Sequence, residues 1–312
     1  MRVLQQASRF TQFHENCVAT IGKFDGVHLG HQLILEQVKQ YADESGLPSL
    51  VMLIEPHPEE FFSSSPEASP ARLCSLREKL RLLESFGIDF VLVLEFNQGL
   101  SQLVAEDYVE QILVEGLGVK TLVIGNDFRF GKDRGGDFSL LQDLGESHGF
   151  EVVESAAYER NGQRISSTFI RNELAACNFE LVQQVLGRAY SISGRVSRGQ
   201  QLGSRIGFPT CNIELNHLSL PLRGVYAVRA RDADRYISGI ANIGFRPTVS
   251  DGRQAFLEVH LFDFEGDLYD REIEVIFLEK IRDEHKFESI DALKAQIAID
   301  VESARQYFAR AA

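Results

Sequence analysis

The residues most able to do chemistry lie at 21–31, IGKFDGVHLGH, where His28 and His31 stand three positions apart among Gly22, Gly26 and Gly30. Glycines let the backbone turn tightly, so amide groups can approach a ligand. An apolar strand (18–21) precedes the histidines and a helical run begins near Gln32. A helix N-terminus offers free N–H groups and the positive end of a dipole, which suits phosphate. Two imidazoles at i and i+3 on its first turn would face the same anion. The segment is therefore expected to hold a nucleoside triphosphate without a Walker lysine, although either histidine alone could be an ordinary surface group.

Two further segments belong with it. GNDFRFG (125–131) brings an amide, a carboxylate and an arginine, and RISSTFIR (164–171) brings Ser166, Ser167 and Thr168 between Arg164 and Arg171. Such a serine run is by itself an N-cap pattern.

A second constellation lies downstream in GRVSRGQQLGSRIGFPTCNI (194–213), with glycines at 194, 199, 203 and 207. The spacing suits a loop that wraps phosphate with its amides, or the turns of a barrel. No Gly-Lys-Ser/Thr follows, so it is not a Walker loop. Thr210 and Asn212 project to one side of an extended segment and offer the hard oxygens that Mg²⁺ accepts. Glu258 and His260 share one face of a strand, and a carboxylate beside a phosphate loop can act as a general base. Alone it would read as a cross-strand ion-pair partner.

The elements that position these groups fall into two classes. Short β-branched runs at 50–54, 90–94 and 121–124 alternate with helical patterns at 32–43, 75–86 and 105–113, which predicts a parallel sheet with helices on both faces. Ligands of such sheets bind beyond the carboxyl ends of the strands, where His28, the EPH segment (55–57) and the 125–131 segment fall. Residues 62–70 (FSSSPEASP) are expected to be a loop, either a lid or an inert insertion. Helices are expected at 168–176 and 179–186. After Gly187, alternating strands at 190–196, 225–231, 236–243, 255–262 and 272–277 predict a small antiparallel barrel, closed by a helix over 290–308.

With 312 residues the chain has room for two domains, and its 44% hydrophobic and 25% charged content is that of a globular protein. A net charge of −13 argues against a broad nucleic-acid surface. No apolar run reaches the roughly 20 residues of a membrane span, and the first residues lack the core of a secretory signal. Four cysteines without metal-ligand spacing fit reduced thiols in the cytoplasm.

Taken together, GKFDGVHLGH (22–31) and SSTFIR (166–171) make the chain resemble the nucleotidylyltransferase superfamily, specifically the bacterial bifunctional riboflavin kinase/FAD synthetases. GFPTCN (207–212), GVYAV (224–228), GIANIGFRPT (239–248) and the Glu-x-His strand follow in that family's order. The resemblance implies an N-terminal Rossmann-like domain (1–186) that adenylylates FMN, and a C-terminal six-stranded barrel (187–312) that phosphorylates riboflavin. In the first, His28, His31 and Arg171 would be catalytic. Gly22, Phe24, Asp25, Gly30, Asn126, Asp127, Arg164, Ser167 and Thr168 would bind ATP, Ser167, Thr168 and Arg171 holding the leaving pyrophosphate, with Phe128 against the flavin. In the second, Glu258 would be the base, Thr210 and Asn212 the Mg²⁺ ligands, Gly199, Gly203, Gly207 and Pro209 the nucleotide loop, and Arg282 a border of the flavin. The implied partners are riboflavin, FMN, FAD, ATP/ADP, pyrophosphate and Mg²⁺, with no nucleic acid and no membrane. Class I aminoacyl-tRNA synthetases also carry His-x-Gly-His, but would need a tRNA surface and a lysine-rich loop. Cys211 replaces the family's usual alanine and Asp270 its usual glycine; Asp tolerates the left-handed conformation a turn there requires.

Overall fold

The computed structural model describes residues 1–6, 15–65, 68–125, 127–199, 203, 206–215, 219–247 and 253–311, the side chains of 5, 6, 246, 247, 253, 254 and 311 excepted. The chain forms two compact units, one of Met1–Pro70 with Leu76–Ser166, the other of Ala71–Ser75 with Ser167–Ala312.

In the first unit the β-branched runs pair as a parallel sheet. Its strands are β1 (Arg2–Gln6), β2 (Cys17–Gly22), β3 (Ser49–Glu55), β4 (Phe90–Glu95), β5 (Val119–Gly125) and β6 (Glu151–Ser155), in the order β1-β4-β3-β2-β5-β6. Successive strand residues point to opposite faces, and both faces are covered. Val18, Val51, Leu53, Val91 and Val123 pack on one side with Leu35, Val38 and Ala42 of α1 (Leu29–Ser45). Ala19, Ile21, Leu50, Met52, Leu92 and Ile124 pack on the other with Tyr108, Ile112, Leu113 and Leu141. This second layer comes from segments that follow α2 (Pro58–Phe61) and α3 (Leu76–Ser85). They are α4 (Gln98–Gln102), α5 (Ala105–Tyr108), which runs on as a π-helix over Val109–Gly116, and α6 (Phe138–His148). Chain order reverses around β2, between β3 and β5, so the crevice of the switch point opens beyond Gly22 and Gly125.

A small hairpin, β7 (Glu159–Arg160) and β8 (Gln163–Arg164), ends the first unit. The second begins with α7 (Ser167–Ala175) and α8 (Phe179–Leu186). It then closes a six-stranded barrel from β9 (Ser191–Ser197), β10 (Cys211–Ile213), β11 (Gly224–Asp232), β12 (Arg235–Pro247), β13 (Arg253–Leu261) and β14 (Glu272–Arg282), in the order β10-β13-β12-β11-β14-β9. Leu257, Val259, Ala241 and Tyr226 are buried. On the opposite face Val225, Ala227, Ile240 and Phe262 pack with Ala304 of α9 (Ile290–Ala311). Asp270 takes the left-handed conformation, φ 62°, that its turn position requires.

Two expected boundaries move. The first helix starts at Leu29, not near Gln32, which makes His28 its N-cap rather than a first-turn residue. The helix expected over 105–113 is α-helical only to Tyr108. Among the described residues no helix is long and apolar enough to cross a membrane.

Candidate active sites

The first site is built on the turn between β2 and α1. His28 caps the helix: its Nδ1 accepts the His31 N–H at 3.3 Å. That nitrogen therefore carries a lone pair, and the proton of a neutral His28 sits on Nε2. The His28 and His31 rings stack at 3.7 Å and 19°, so two imidazolium charges would repel across that distance. Burial, then His28, Lys79 and Lys23, lowers the His31 pKa well below that of free imidazole. Its Nδ1 is buried without a hydrogen-bond partner among the described residues. The turn is shaped around these rings. A Cβ on Gly30 would meet the His28 ring at 3.2 Å, and one on Gly22 the Phe24 ring at 3.1 Å. Phe24 is buried, with φ 47°, and lies 4.9 Å from His31. Asp25 is buried in the same turn.

From the end of β5, Asp127 reaches Arg164 at 2.5 Å and Phe128 stacks on Phe130 at 5.6 Å. Asn126 lies outside the described residues. In the second unit Ser167 and Thr168 open α7, and Arg171, one turn on, donates from Nε to the Ala71 carbonyl. Of the 62–70 loop, residues 66 and 67 lie outside the described residues.

Two features here escaped the sequence analysis. Lys79 is fully buried and its Nζ lies 3.0 Å from Glu55 Oε1 and 3.4 Å from His57 Nε2, at the end of β3. Its position in line with Leu76, Leu80 and Leu83 on one helical stripe was the available signal. Phe61, Phe62 and Phe96 form an edge-to-face cluster with centroids 5.2–5.7 Å apart, and Phe62 is 67% exposed.

The second site is a row across the barrel. Register places Asn212 opposite Glu258, Glu258 opposite Asn242, Asn242 opposite Val225, and Val225 opposite Arg282. Val225 belongs to the face that α9 covers, so the row runs along the outside of the barrel. Cys211, one residue off the row, is opposite buried Val259; burial pushes its thiol up to about 11.

The glycine loop closes on this row. A Cβ on Gly199 would lie 2.2 Å from Asn212 Nδ2, and one on Gly203 3.2 Å from Thr210 Oγ1. Gly207, at φ 93°, makes the turn into Pro209. The Pro209 carbonyl accepts a hydrogen bond from His260 Nδ1 at 2.8 Å. Arg282 donates from Nε and Nη2 to Asp300 of α9 at 2.8–3.0 Å and from Nη1 to the Asp283 carbonyl. One face of its guanidinium lies 5.5 Å from the Phe287 ring. Asn242 was not anticipated, because nothing but strand register brings it beside Glu258.

Residues 10–169 match the family model described as FAD synthetase, and residues 186–308 that described as riboflavin kinase. A bifunctional riboflavin kinase/FMN adenylyltransferase of Pseudomonas fluorescens is 49% identical over 292 residues, 94% of this chain and 93% of its own. One of Escherichia coli (strain K12) is 47% identical over 295 residues, again 94% and 93%. A solved structure titled macrolide-efflux protein, from Streptococcus pneumoniae, shares the fold at TM-score 0.80 and 28% identity, covering 97% of this chain and 98% of that one. By both halves and nearly its whole length, the chain belongs to the bifunctional riboflavin kinase/FMN adenylyltransferase family.

Proposed function

We propose that this riboflavin kinase and FMN adenylyltransferase divides its chemistry at about residue 186. The barrel makes FMN from riboflavin and ATP; the Rossmann-like domain makes FAD and pyrophosphate from FMN and a second ATP. The observation that carries this reading is the row from Asn212 through Glu258 to Arg282, with Gly199 and Gly203 pressed against the two nucleotide-side ligands.

In the kinase step Glu258 takes the proton of the ribityl 5′-hydroxyl as its oxygen attacks the γ-phosphorus, and ADP leaves. Thr210 and Asn212 fit Mg²⁺ by their chemistry: both carry neutral hard oxygens, and Gly203 and Gly199 pack directly against them. Phosphate oxygens of the nucleotide and water would be the further ligands such an ion takes. Bound there, the ion would neutralise phosphate charge. Arg282, held by Asp300, offers the flavin a guanidinium plane fixed in orientation.

In the adenylyl step a phosphate oxygen of FMN attacks the α-phosphorus in line. No protein nucleophile is needed; positioning and charge neutralisation suffice. His28 presents Nε2–H and His31 its unpartnered ring nitrogen to the phosphates. Ser167, Thr168 and Arg171 hold the pyrophosphate; Gly22, Phe24, Asp25, Gly30, Asn126, Asp127 and Arg164 shape the nucleotide site, and Phe128 meets the flavin. We place the enzyme in the cytoplasm, where its four thiols stay reduced, acting on free flavins rather than on nucleic acid or membrane.

Chromatography of riboflavin, ATP and Mg²⁺ incubated with the enzyme tests this reading. FMN should appear first and FAD after it; flavin that stays unmodified would overturn it.

A further inference from the structure

We propose that Asn242 is a specificity-determining residue of the kinase site, its side-chain amide binding a hydroxyl of the ribityl chain beside the one that Glu258 deprotonates. The inference rests on the role given above to Glu258.

Three observations support it. Asn242 is the residue of β12 directly opposite Glu258, so both side chains leave the barrel on the same side. Its Oδ1 is buried and has no hydrogen-bond partner among the described residues. A buried amide oxygen without a donor is costly, and such a group in a site is matched by the ligand it receives. The third observation is its place in the row. On one side of Glu258 stands Asn212, on the nucleotide side; on the other stand Asn242, then apolar Val225, then Arg282.

The chemistry of the row selects the ligand. Phosphate oxygens are acceptors and offer nothing to an amide carbonyl. A metal held by Thr210 and Asn212 is two strand spacings away along the sheet, about 10 Å between backbones. A polyol hydroxyl both donates and accepts, so it satisfies the amide in either orientation. Val225, the next residue of the row, is buried under α9, so Asn242 is the last side chain of the row that a polyol bound at Glu258 meets.

The test uses the full-length enzyme with riboflavin and its 2′-, 3′- and 4′-deoxy analogues, measuring kcat/KM for phosphorylation. The wild type should lose about tenfold with one analogue, the value of a buried hydrogen bond. Asn242→Ala should lose a similar factor with riboflavin and nothing further with that analogue. KM for ATP and the Mg²⁺ requirement of the kinase step should be unchanged, which shows that the barrel is folded, and adenylylation of supplied FMN should be unchanged as well. Asn242→Ser, which keeps a hydroxyl, should recover part of the loss. A wild type that treats all three analogues like riboflavin overturns the proposal without any variant. So does an Asn242→Ala penalty that adds in full to every analogue, or one that appears in the Mg²⁺ requirement. Failure of the underlying reading looks different: Glu258→Gln would then phosphorylate riboflavin as the wild type does.

Discussion

Glu258 and Asn212 are directly opposed residues of β13 and β10. Opposed residues of an antiparallel pair hold their Cβ atoms about 4.5–5.5 Å apart on the same side of the sheet. The carboxylate proposed to accept a proton thus stands beside the amide proposed to hold the Mg-nucleotide. Only a base in contact with the attacking hydroxyl can assist it. Glu258→Gln keeps the shape and removes the base, so riboflavin phosphorylation should fall by about 10²–10⁴-fold. Adenylylation of supplied FMN should continue unchanged. Separate assays of the two steps check this; equal loss of both would contradict the division of labour.

Gly199 offers a steric test of the same site. Any Cβ there would stand 2.2 Å from Asn212 Nδ2 and 2.7 Å from its Oδ1, far inside contact distance. Gly199→Ala must therefore displace either the loop or the Asn212 amide. The expected result is a raised KM for ATP and a raised Mg²⁺ requirement in the kinase assay. Misplacement of a ligand by about 1 Å can cost about 10²-fold. Wild-type kinase kinetics in this variant would remove Asn212 from the nucleotide site.

Strand existence was legible and strand register was not. Runs such as Ser49–Glu55 and Val119–Gly125 are β-branched and buried, so composition alone identifies them. β1, RVLQQ, is short and largely polar, and β6, EVVES, is a half-exposed edge, so neither carries that signal. β10 is only three residues long and reads as an extended loop. The helix start was misplaced because histidine is not among the residues that usually cap helices, yet His28 does so here. The groups proposed as catalytic stand out in the sequence by type and spacing. What surrounds them was not: Asn242 and Glu258 are brought together by pairing that no local pattern encodes, and Lys79 is a charge on a buried stripe.

His31 gives a pH prediction with a definite sign. Its pKa in the folded chain is lowered, chiefly by burial. Between that value and the roughly 6.5 of free imidazole, the unfolded chain binds a proton that the folded chain does not. Its contribution to stability is therefore complete above about pH 6.5 and declines as pH falls below it. His31→Gln removes this titration, so the variant should lose less stability than the wild type between about pH 7 and about pH 5. Thermal melts followed by circular dichroism measure the difference. A triphosphate facing His31 would supply the missing counter-charge and raise its pKa. ATP binding to the adenylyltransferase site should then take up protons, visible as a dependence of calorimetric heat on the buffer; heats independent of the buffer would place the triphosphate elsewhere.

Lys79 is fully buried against Glu55, whose side chain is 12% exposed. Two charges removed from water cost several kcal/mol each, and their attraction offsets this only while both are present. Lys79→Met fills the space of the lysine stem but removes the cation nearest to Glu55, whose carboxylate also faces His57 Nε2 at 3.8 Å. Removing one member of a buried pair typically destabilises by about 3–5 kcal/mol. The cost should fall on the first unit, since both residues belong to it, and riboflavin phosphorylation should survive. Adding Glu55→Gln removes the carboxylate charge that has lost its lysine, so the double variant should be more stable than Lys79→Met alone. Urea denaturation of the two variants and the wild type, with kinase activity as a marker for the barrel, gives the comparison. If Lys79→Met unfolded at the wild-type midpoint, the pair would be solvated in solution and the end of β3 would be held in place by its apolar packing instead.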